Sequence, residues 1–380
     1  MAQGSDGNYY GTTGAGGENC SPTGCGTVFQ ITPDGTETTL YSFCSQNNCV
    51  DGTDPYGALV QGKDGNLYGT TSSGGSGADD AGTVFKITPD GTLTTLYSFC
   101  SQPNCVDGRY PSGVVQATDG NFYGVTGGGG SNNCTDDGCG TIFKITPGGT
   151  LTTIYIFCSQ GNCPNGYNPS GLIQATDGNF YGIAGHGGAS GNRCDGFGCG
   201  TFFKMTPDGT LTALYSFCTQ MGCPEGEFPN GKLFQARDGN FYGTTPEDGG
   251  NGGGTLFKIT PSGTLTTLYR FCSIGGCADG TYPTAPPVQG ADGNFYGTTY
   301  SGGVHYGGTV YKITPDGALT TLYSFCPAKG CADGALPAAP LVPAPGGTFH
   351  RTTNEGGTSN YGTVFRLALP RDCVVCPHVE

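Results

Sequence analysis

Apolar and polar positions between residues 59 and 99 fall into four short runs separated by turn residues. Leu59-Val60-Gln61 is a brief apolar run entering Lys63-Asp64-Gly65. Asn66-Leu67-Tyr68-Gly69-Thr70-Thr71 alternates, with Leu67, Gly69 and Thr71 on one side and Tyr68 and Thr70 on the other. Thr83-Val84-Phe85-Lys86-Ile87-Thr88 and Thr92-Leu93-Thr94-Thr95-Leu96-Tyr97-Ser98-Phe99 are rich in β-branched and aromatic residues. Period-two alternation and this composition predict four strands. Asp64-Gly65 and Pro89-Asp90-Gly91 predict tight hairpins, because Pro pre-sets a turn φ and Gly supplies a positive one. No window carries helical periodicity or a helix cap before an apolar run.

The same unit recurs along the chain. Copies of GTVFKITPDGTLTTLYSF begin at Gly26, Gly82, Gly140, Gly200, Gly254 and Gly308, and a shortened one at Gly362, each preceded by DGNFYGTT or a variant. A four-strand antiparallel unit repeated about every 55 residues predicts an all-β, seven-bladed β-propeller of four-stranded antiparallel blades. Residues 1–369 would form one propeller domain and 370–380 a tail with a Cys pair. Met1-Ala2-Gln3 aligns with the end of a first strand, and the seventh copy diverges after Leu367, so the ends predict an irregular closure or an edge that pairs with a neighbour.

In an up-and-down blade, the loop between strands two and three lies at the same end as the connection to the next blade. That end would carry every length-variable loop, and the opposite end only uniform DGN and PDG hairpins. Variable loops on a rigid scaffold are the usual seat of binding chemistry.

Composition narrows the classes. The net charge is −14 and no Lys/Arg cluster interrupts it, which excludes a nucleic-acid partner. No apolar run reaches 18 residues, so no membrane-spanning helix is expected. Glycine is abundant, 73 of 380 residues, but lacks a Gly-X-Y period, so it marks turns rather than collagen. No signal peptide is visible at Met1-Ala2-Gln3-Gly4, from which a mature or cropped chain is expected.

The 20 cysteines form close pairs. Cys44/Cys49, Cys100/Cys105, Cys158/Cys163, Cys218/Cys223, Cys272/Cys277 and Cys326/Cys331 follow the fourth strand. Cys20/Cys25, Cys134/Cys139 and Cys194/Cys199 lie in the loop between strands two and three. Cys373/Cys376 lies in the tail. Even count and uniform spacing predict local disulfides, hence an oxidising, extracellular or cell-surface location. A zinc reading would need four ligands to converge, and no Cys pair is matched by a His pair. Isolated turn Asp residues lack the oxygen density calcium needs. No cofactor is expected, and a divalent cation is not indicated.

Repeats carry their own control: a residue the fold demands recurs in every blade. The Phe and Tyr of NFYG, together with Tyr41, Tyr97 and Tyr215, therefore predict packing between blades, and Gln61, Gln116, Gln174, Gln235 and Gln289 predict satisfaction of backbone groups. Departures are the candidates for chemistry. Just before the Gly-Gly of the second loop, four blades carry Ala15, Ser73, Gly128 and Ser301, whereas three carry His186, Asp248 and Glu355. Glu247 and His305 lie in the same class of loop. Lys232 replaces an apolar or small residue, and His350-Arg351 replaces Tyr-Gly of NFYG, which would place a cation near Glu355. A histidine and carboxylates on one end could work as acid and base or hold a cation. Drift of loop positions and decay of a terminal blade explain the same departures without function. Asn133-Cys134-Thr135 fits a glycosylation pattern, though its middle residue is expected in a disulfide.

The repeat DGNFYGTT…GG…GTVFKITPDGTLTTLYSF resembles the GloVer tandem repeats of bacterial surface and secreted proteins of the choice-of-anchor group. The resemblance covers essentially the whole chain. It implies an exported bacterial protein and carries no catalytic residues. More distantly, Asp119-Gly120-Asn121-Phe122-Tyr123 and Ile145-Thr146-Pro147 resemble motifs of the streptogramin lyases such as virginiamycin B lyase, which implies a seven-bladed propeller. The Trp of that motif is missing, and the lyases' His and Glu have no residue-by-residue match, His186 and Glu355 being nearest in kind.

Three functions follow as expectations. The first is a disulfide-pinned scaffold that binds glycan or protein through its variable loops. The second is a secreted lyase or hydrolase that uses His186, Asp248 and Glu355, with Lys232, Arg351 and His305 as lesser candidates. The third is a structural unit that assembles through its irregular ends.

Overall fold

The computed structural model describes residues 1–368 except 21–23, 78–79, 135–136, 160, 162, 190–193, 195, 328–329 and 345. The tail with Cys373 and Cys376 lies outside the described residues. The strands form seven antiparallel sheets in consecutive order, six of four strands and a seventh of three. These are the blades of a seven-bladed β-propeller. By contacts the chain divides into one unit of Met1–Gly182 with Lys204–Thr212 and a second of Ile183–Phe203 with Ala213–Glu380.

Blade two shows the plan: Thr53–Gln61, Leu67–Ser73, Thr83–Ile87 and Leu93–Ser98. The second and third strands pair in register, Leu67 opposite Ile87 through Thr71 opposite Thr83. The first strand is longer than the Leu59-Val60-Gln61 run predicts. It begins at Thr53 and accommodates Pro55 by a register shift between Tyr56 and Val60. The first strand of blade one is only Ala2–Gln3, paired with Tyr10 and Tyr9, and the seventh sheet ends with Val364–Ala368. Both match the truncated repeats. Among the described residues helix is limited to short 3-10 turns such as Asn47–Cys49 and Pro103–Cys105 inside the cysteine loops.

The second strand is buried on both sides, Leu67 to Thr71 throughout, because neighbouring blades cover both faces. In the first unit Tyr68 stacks on Phe122 of the next blade at 3.9 Å, and Phe99 meets Phe143 edge-on at 5.1 Å. In the second unit Tyr242 stacks on Phe295 at 4.1 Å and Phe325 meets Phe365 at 5.0 Å. Offset and edge-on ring pairs add to the burial of large apolar surface. The recurrent NFYG aromatics are core, as their recurrence predicts, whereas Tyr41, Tyr97 and Tyr215 are half-buried, meet a Phe of their own blade and donate to a loop carboxylate. Gly69 shows why a glycine faces the third-strand Phe in blade two: a Cβ there would lie 2.6 Å from the Phe85 ring.

The recurrent Gln ties blade to blade. Gln116 accepts from Lys63 N of the preceding blade at 2.9 Å and donates to Gly120 O of its own hairpin at 3.0 Å. Gln61, Gln174 and Gln289 make the same two bonds. The hairpin Asp is turn chemistry too: Asp64 accepts from Asn66 N, Asn66 Nδ2 and Tyr68 OH.

Candidate functional site

The two long connections of each blade meet. Gly75 N, in the second loop of blade two, donates to Cys49 O at 2.9 Å, and Gly130 N donates to Cys105 O at 2.8 Å. In the second unit Gly303 N reaches Cys277 O at 2.8 Å and Gly357 N reaches Cys331 O at 2.9 Å. The parity argument therefore holds, and loops and cysteines share an end.

Nine disulfides close loops of sequence separation 5, in the pairing that the spacing predicts. Cys139 and Cys199 lie between strands two and three, as expected, at the buried end of that loop. Both are 0% exposed, because each sits where the loop re-enters the blade, immediately before the Gly that opens the third strand. Each also braces the next blade: Asn168 N donates to Cys139 O at 2.9 Å, and Phe228 N donates to Cys199 O at 3.1 Å. In each of these pairs one half-cystine is buried beside the third strand and the other, Cys134 or Cys194, lies further out in the same loop.

Inside the loop after the fourth strand sits a carboxylate that sequence reasoning missed. Asp107 is fully buried and accepts from Tyr97 OH, Ser101 N, Ser101 Oγ and Gln102 N. Asp51 and Asp279 repeat the arrangement. Its only sequence signal is an Asp or Asn before Gly at a fixed distance after the second cysteine, with Glu225 as the longer variant. Burial raises the Tyr97 pKa, with the Asp107 carboxylate adding to it.

A second feature, also missed, is that cysteine pairs converge. In blade one the sulfurs of Cys20, Cys25, Cys44 and Cys49 lie within 4.8 Å of one another. In blade three those of Cys134, Cys158 and Cys163 do so. In blade four the group is Cys194, Cys218, Cys223 and a Glu227 carboxylate oxygen. Cys139 and Cys199 belong to neither of the last two groups. In these three blades the cysteine-bearing second loop folds onto the cysteine pair that follows the fourth strand.

The candidate residues occupy different settings. His186 ends the second strand of blade four, its ring edge-on to Phe228 at 5.2 Å, and burial lowers its pKa. Asp248 sits at φ 59°, accepts from Gly250 N at 3.1 Å, and lines an open depression of about 510 Å³ with Cys194, Cys218, Met221, Gly222 and Cys223. Glu355 is exposed, and its backbone pairs with Ala335. Neither Asp248 nor Glu355 hydrogen-bonds another candidate. His305 and Glu247 are exposed on their loops. Desolvation pushes the Lys232 ammonium down to about 8. Burial lowers the His350 pKa, and Arg366 adds to the effect. In the glycosylation pattern, Cys134 is bridged to Cys139 as expected, and Thr135 lies outside the described residues.

Arg351 differs from expectation. It is 1% exposed, opposite Phe365 in the sheet, and its guanidinium has no hydrogen-bond partner among the described residues. It is an interior group, not a cation offered to the exposed Glu355. Burial lowers its pKa to about 9, opposed by Tyr311. Tyr311 is itself a departure, standing where the other blades carry Phe29, Phe85, Phe143, Phe203, Phe257 and Phe365.

The backbone of this end is constrained. Tyr110, Phe228 and Tyr282 hold φ of 59°, 51° and 54° immediately before a Pro. Bulky residues adopt the left-handed region at a cost, and such positions gather where a surface is pre-shaped.

This propeller, with one elaborated end, is the architecture of the Gloeobacter/Verrucomicrobia repeat, whose family profile matches residues 1–223 and 195–374. The chain belongs to that family. Among known structures it is similar to virginiamycin B lyase from Staphylococcus aureus, with 17% identity, TM-score 0.54, and coverage of 89% of this chain and 86% of that one. It is also similar to a streptogramin B lyase, with 16% identity, TM-score 0.50 and coverage of 87% and 86%. A puromycin hydrolase gives 14% identity and TM-score 0.56, covering 90% of this chain and 48% of that one. At these identities the likeness concerns the fold. No curated protein matches the chain by sequence.

Proposed function

We propose that this chain is an exported, disulfide-pinned scaffold that binds glycan or protein through the loop-bearing end of its blades. One observation carries the reading. Exposed large apolar side chains concentrate at that end: Tyr56 and Tyr110 in the first unit, and Phe197, Met221, Ile274, Tyr282, Val304, Tyr306 and Tyr361 in the second. Among the described residues the DGN and PDG hairpins expose none. Apolar and aromatic surface held on pre-shaped loops is what a recognition surface needs, since Tyr supplies contact area at low entropic cost. Nine bridges also favour an oxidising compartment.

The test is binding of the labelled, oxidised full chain to a glycan array and to a panel of extracellular matrix and cell-wall proteins. A specific ligand is expected, with affinity lost in Tyr306→Ala/Tyr361→Ala and kept in the hairpin variant Asp90→Asn. Turnover of an array compound that depends on His186 and Asp248 would move the assignment to the lyase or hydrolase. Binding unaffected by the loop variants would remove this end as the site.

A further inference from the structure

Blades two, five and six carry one cysteine pair each, while blades one, three and four carry two that the fold brings together. The contact is close. Cys134 Sγ lies 3.6 Å from Cys163 Sγ, although the two belong to different disulfides. A Glu227 oxygen lies 2.9 Å from Cys194 Sγ. Every donor atom of each group is within 4.8 Å of the others. In a tetrahedral thiolate site with metal–sulfur distances of about 2.3 Å, sulfurs stand roughly 3.8 Å apart. The fold thus brings sulfurs of separate bridges as close as such a site requires, 3.6 Å for Cys134 and Cys163, while the two sulfurs of one bridge reach that spacing only once the bridge is opened.

We propose that these three clusters hold a thiophilic d10 cation, zinc being the reference case, when their sulfurs are reduced, and release it when the disulfides form. Blade one offers four sulfurs, blade three offers three, and blade four offers three with the Glu227 carboxylate. In blades three and four the buried Cys139 and Cys199 supply no donor; their bridges must open only to free Cys134 and Cys194. Sulfur donors select zinc and cuprous ions over calcium or magnesium. The redox balance is explicit. Reducing the two bridges of a cluster takes four electrons from two equivalents of reductant: a phosphine becomes its oxide with two waters supplying the oxygens and the four protons, and a dithiol becomes its disulfide and supplies the protons itself. Binding releases one proton from each coordinating thiol. In the reverse direction, a disulfide-class oxidant takes four electrons, two S–S bonds form, and the cation leaves. The isolated pairs Cys100/Cys105, Cys272/Cys277 and Cys326/Cys331 bring only two sulfurs each, so they serve as built-in controls.

The experiment uses the full chain, reduced anaerobically with a phosphine, freed of reductant and titrated with cobalt(II), then competed with zinc. Far-UV circular dichroism is followed throughout. The expected result is the visible band of tetrahedral cobalt thiolate saturating at three equivalents per chain. It should fall to two in Cys20→Ser/Cys25→Ser and to none when the loop pairs of blades three and four are also replaced. Zinc should displace the cobalt, and a disulfide oxidant should release the metal. Three results overturn the proposal: no thiolate band, whether or not the reduced chain stays folded; a stoichiometry that follows all the cysteine pairs; or full binding retained when the three loop pairs are replaced. The last variant keeps every bridge after a fourth strand, so folding of the oxidised protein can be checked independently.

Discussion

Tyr97 donates its phenol hydrogen to Oδ2 of Asp107 at 2.9 Å, across a loop that the Cys100–Cys105 bridge and the Cys100 N to Gly108 O hydrogen bond also close. The buried carboxylate also accepts Ser101 N at 3.0 Å, so one side chain organises the whole connection. Asp107→Ala removes the buried acceptor shared by Tyr97 OH, Ser101 N and Gln102 N and leaves a cavity in its place. It is expected to lower stability by about 2–3 kcal/mol in urea unfolding, while Tyr97→Phe costs about 1 kcal/mol. The double variant should cost less than the sum. Additive losses would mean that the two side chains act separately.

The disulfides shape loops more than they hold blades together. Closing so short a loop restricts the unfolded chain by only about 2 kcal/mol in the chain-entropy description. Cys100→Ser/Cys105→Ser is expected to keep the strand signal in far-UV circular dichroism and to lower the urea midpoint modestly. Faster amide exchange should be confined to the connection at residues 100–108. Global unfolding on loss of one bridge would contradict this.

Gln116 spans two blades through Lys63 N and Gly120 O. Gln116→Leu keeps the side-chain volume and removes both bonds. A loss of about 1–3 kcal/mol is expected, with amide exchange rising at Lys63 in the neighbouring blade as well as at Gly120. Protection unchanged at Lys63 would show that packing alone couples the blades.

Acid sensitivity follows from the hairpin carboxylates. Burial raises the pKa of Asp64, Asp119 and Asp177, but this is outweighed by hydrogen bonds from the following Asn and Tyr, and in Asp119 also from Lys144, so each lies below its ordinary value. A depressed carboxylate contributes stability that is fully present above its unfolded value of about 3.9 and is lost as pH falls through the folded value. Through these carboxylates the urea midpoint should decline below about pH 4, on top of a loss below about pH 6.5 from His186 and His350, whose lowered pKa values make protonation favour the unfolded chain. Asp119→Asn should shallow that decline. A midpoint that rises on acidification would give the opposite sign.

Much of the fold is legible in the chain because its determinants are local. Asp64-Gly65 and Pro89-Asp90-Gly91 fix their own turns, and the alternation of Leu67 to Thr71 reports a strand without knowledge of any neighbour. Sevenfold repetition then lets Tyr68 and Phe122 be assigned to packing before any contact is seen. What stays hidden depends on pairs distant in sequence. The approach of Cys134 to Cys163 needs two loops folded to one end. The burial of Cys139 and Cys199 shows only once Asn168 and Phe228 of the following blades bond to their carbonyls. Asp107 looks like another surface turn residue until Tyr97 and Ser101 cover it. Arg351 reads as an accessible charge in a decaying terminal repeat, yet the sheet buries it opposite Phe365. Asp248 lines a depression beside Cys194, Cys218 and Cys223, which the sequence treats only as staples.

The most direct measurement is the affinity of the oxidised full chain for its best array ligand, compared between Tyr306→Ala/Tyr361→Ala and the hairpin variant Asp90→Asn. Tyr306 and Tyr361 are 71% and 91% exposed on second loops, whereas Asp90 lies at the opposite end of its blade. Binding at the loop end predicts a loss of tenfold or more, at least about 1.4 kcal/mol, for the tyrosine variant and none for the hairpin variant. Equal affinity in all three proteins, or loss only in the hairpin variant, would contradict it.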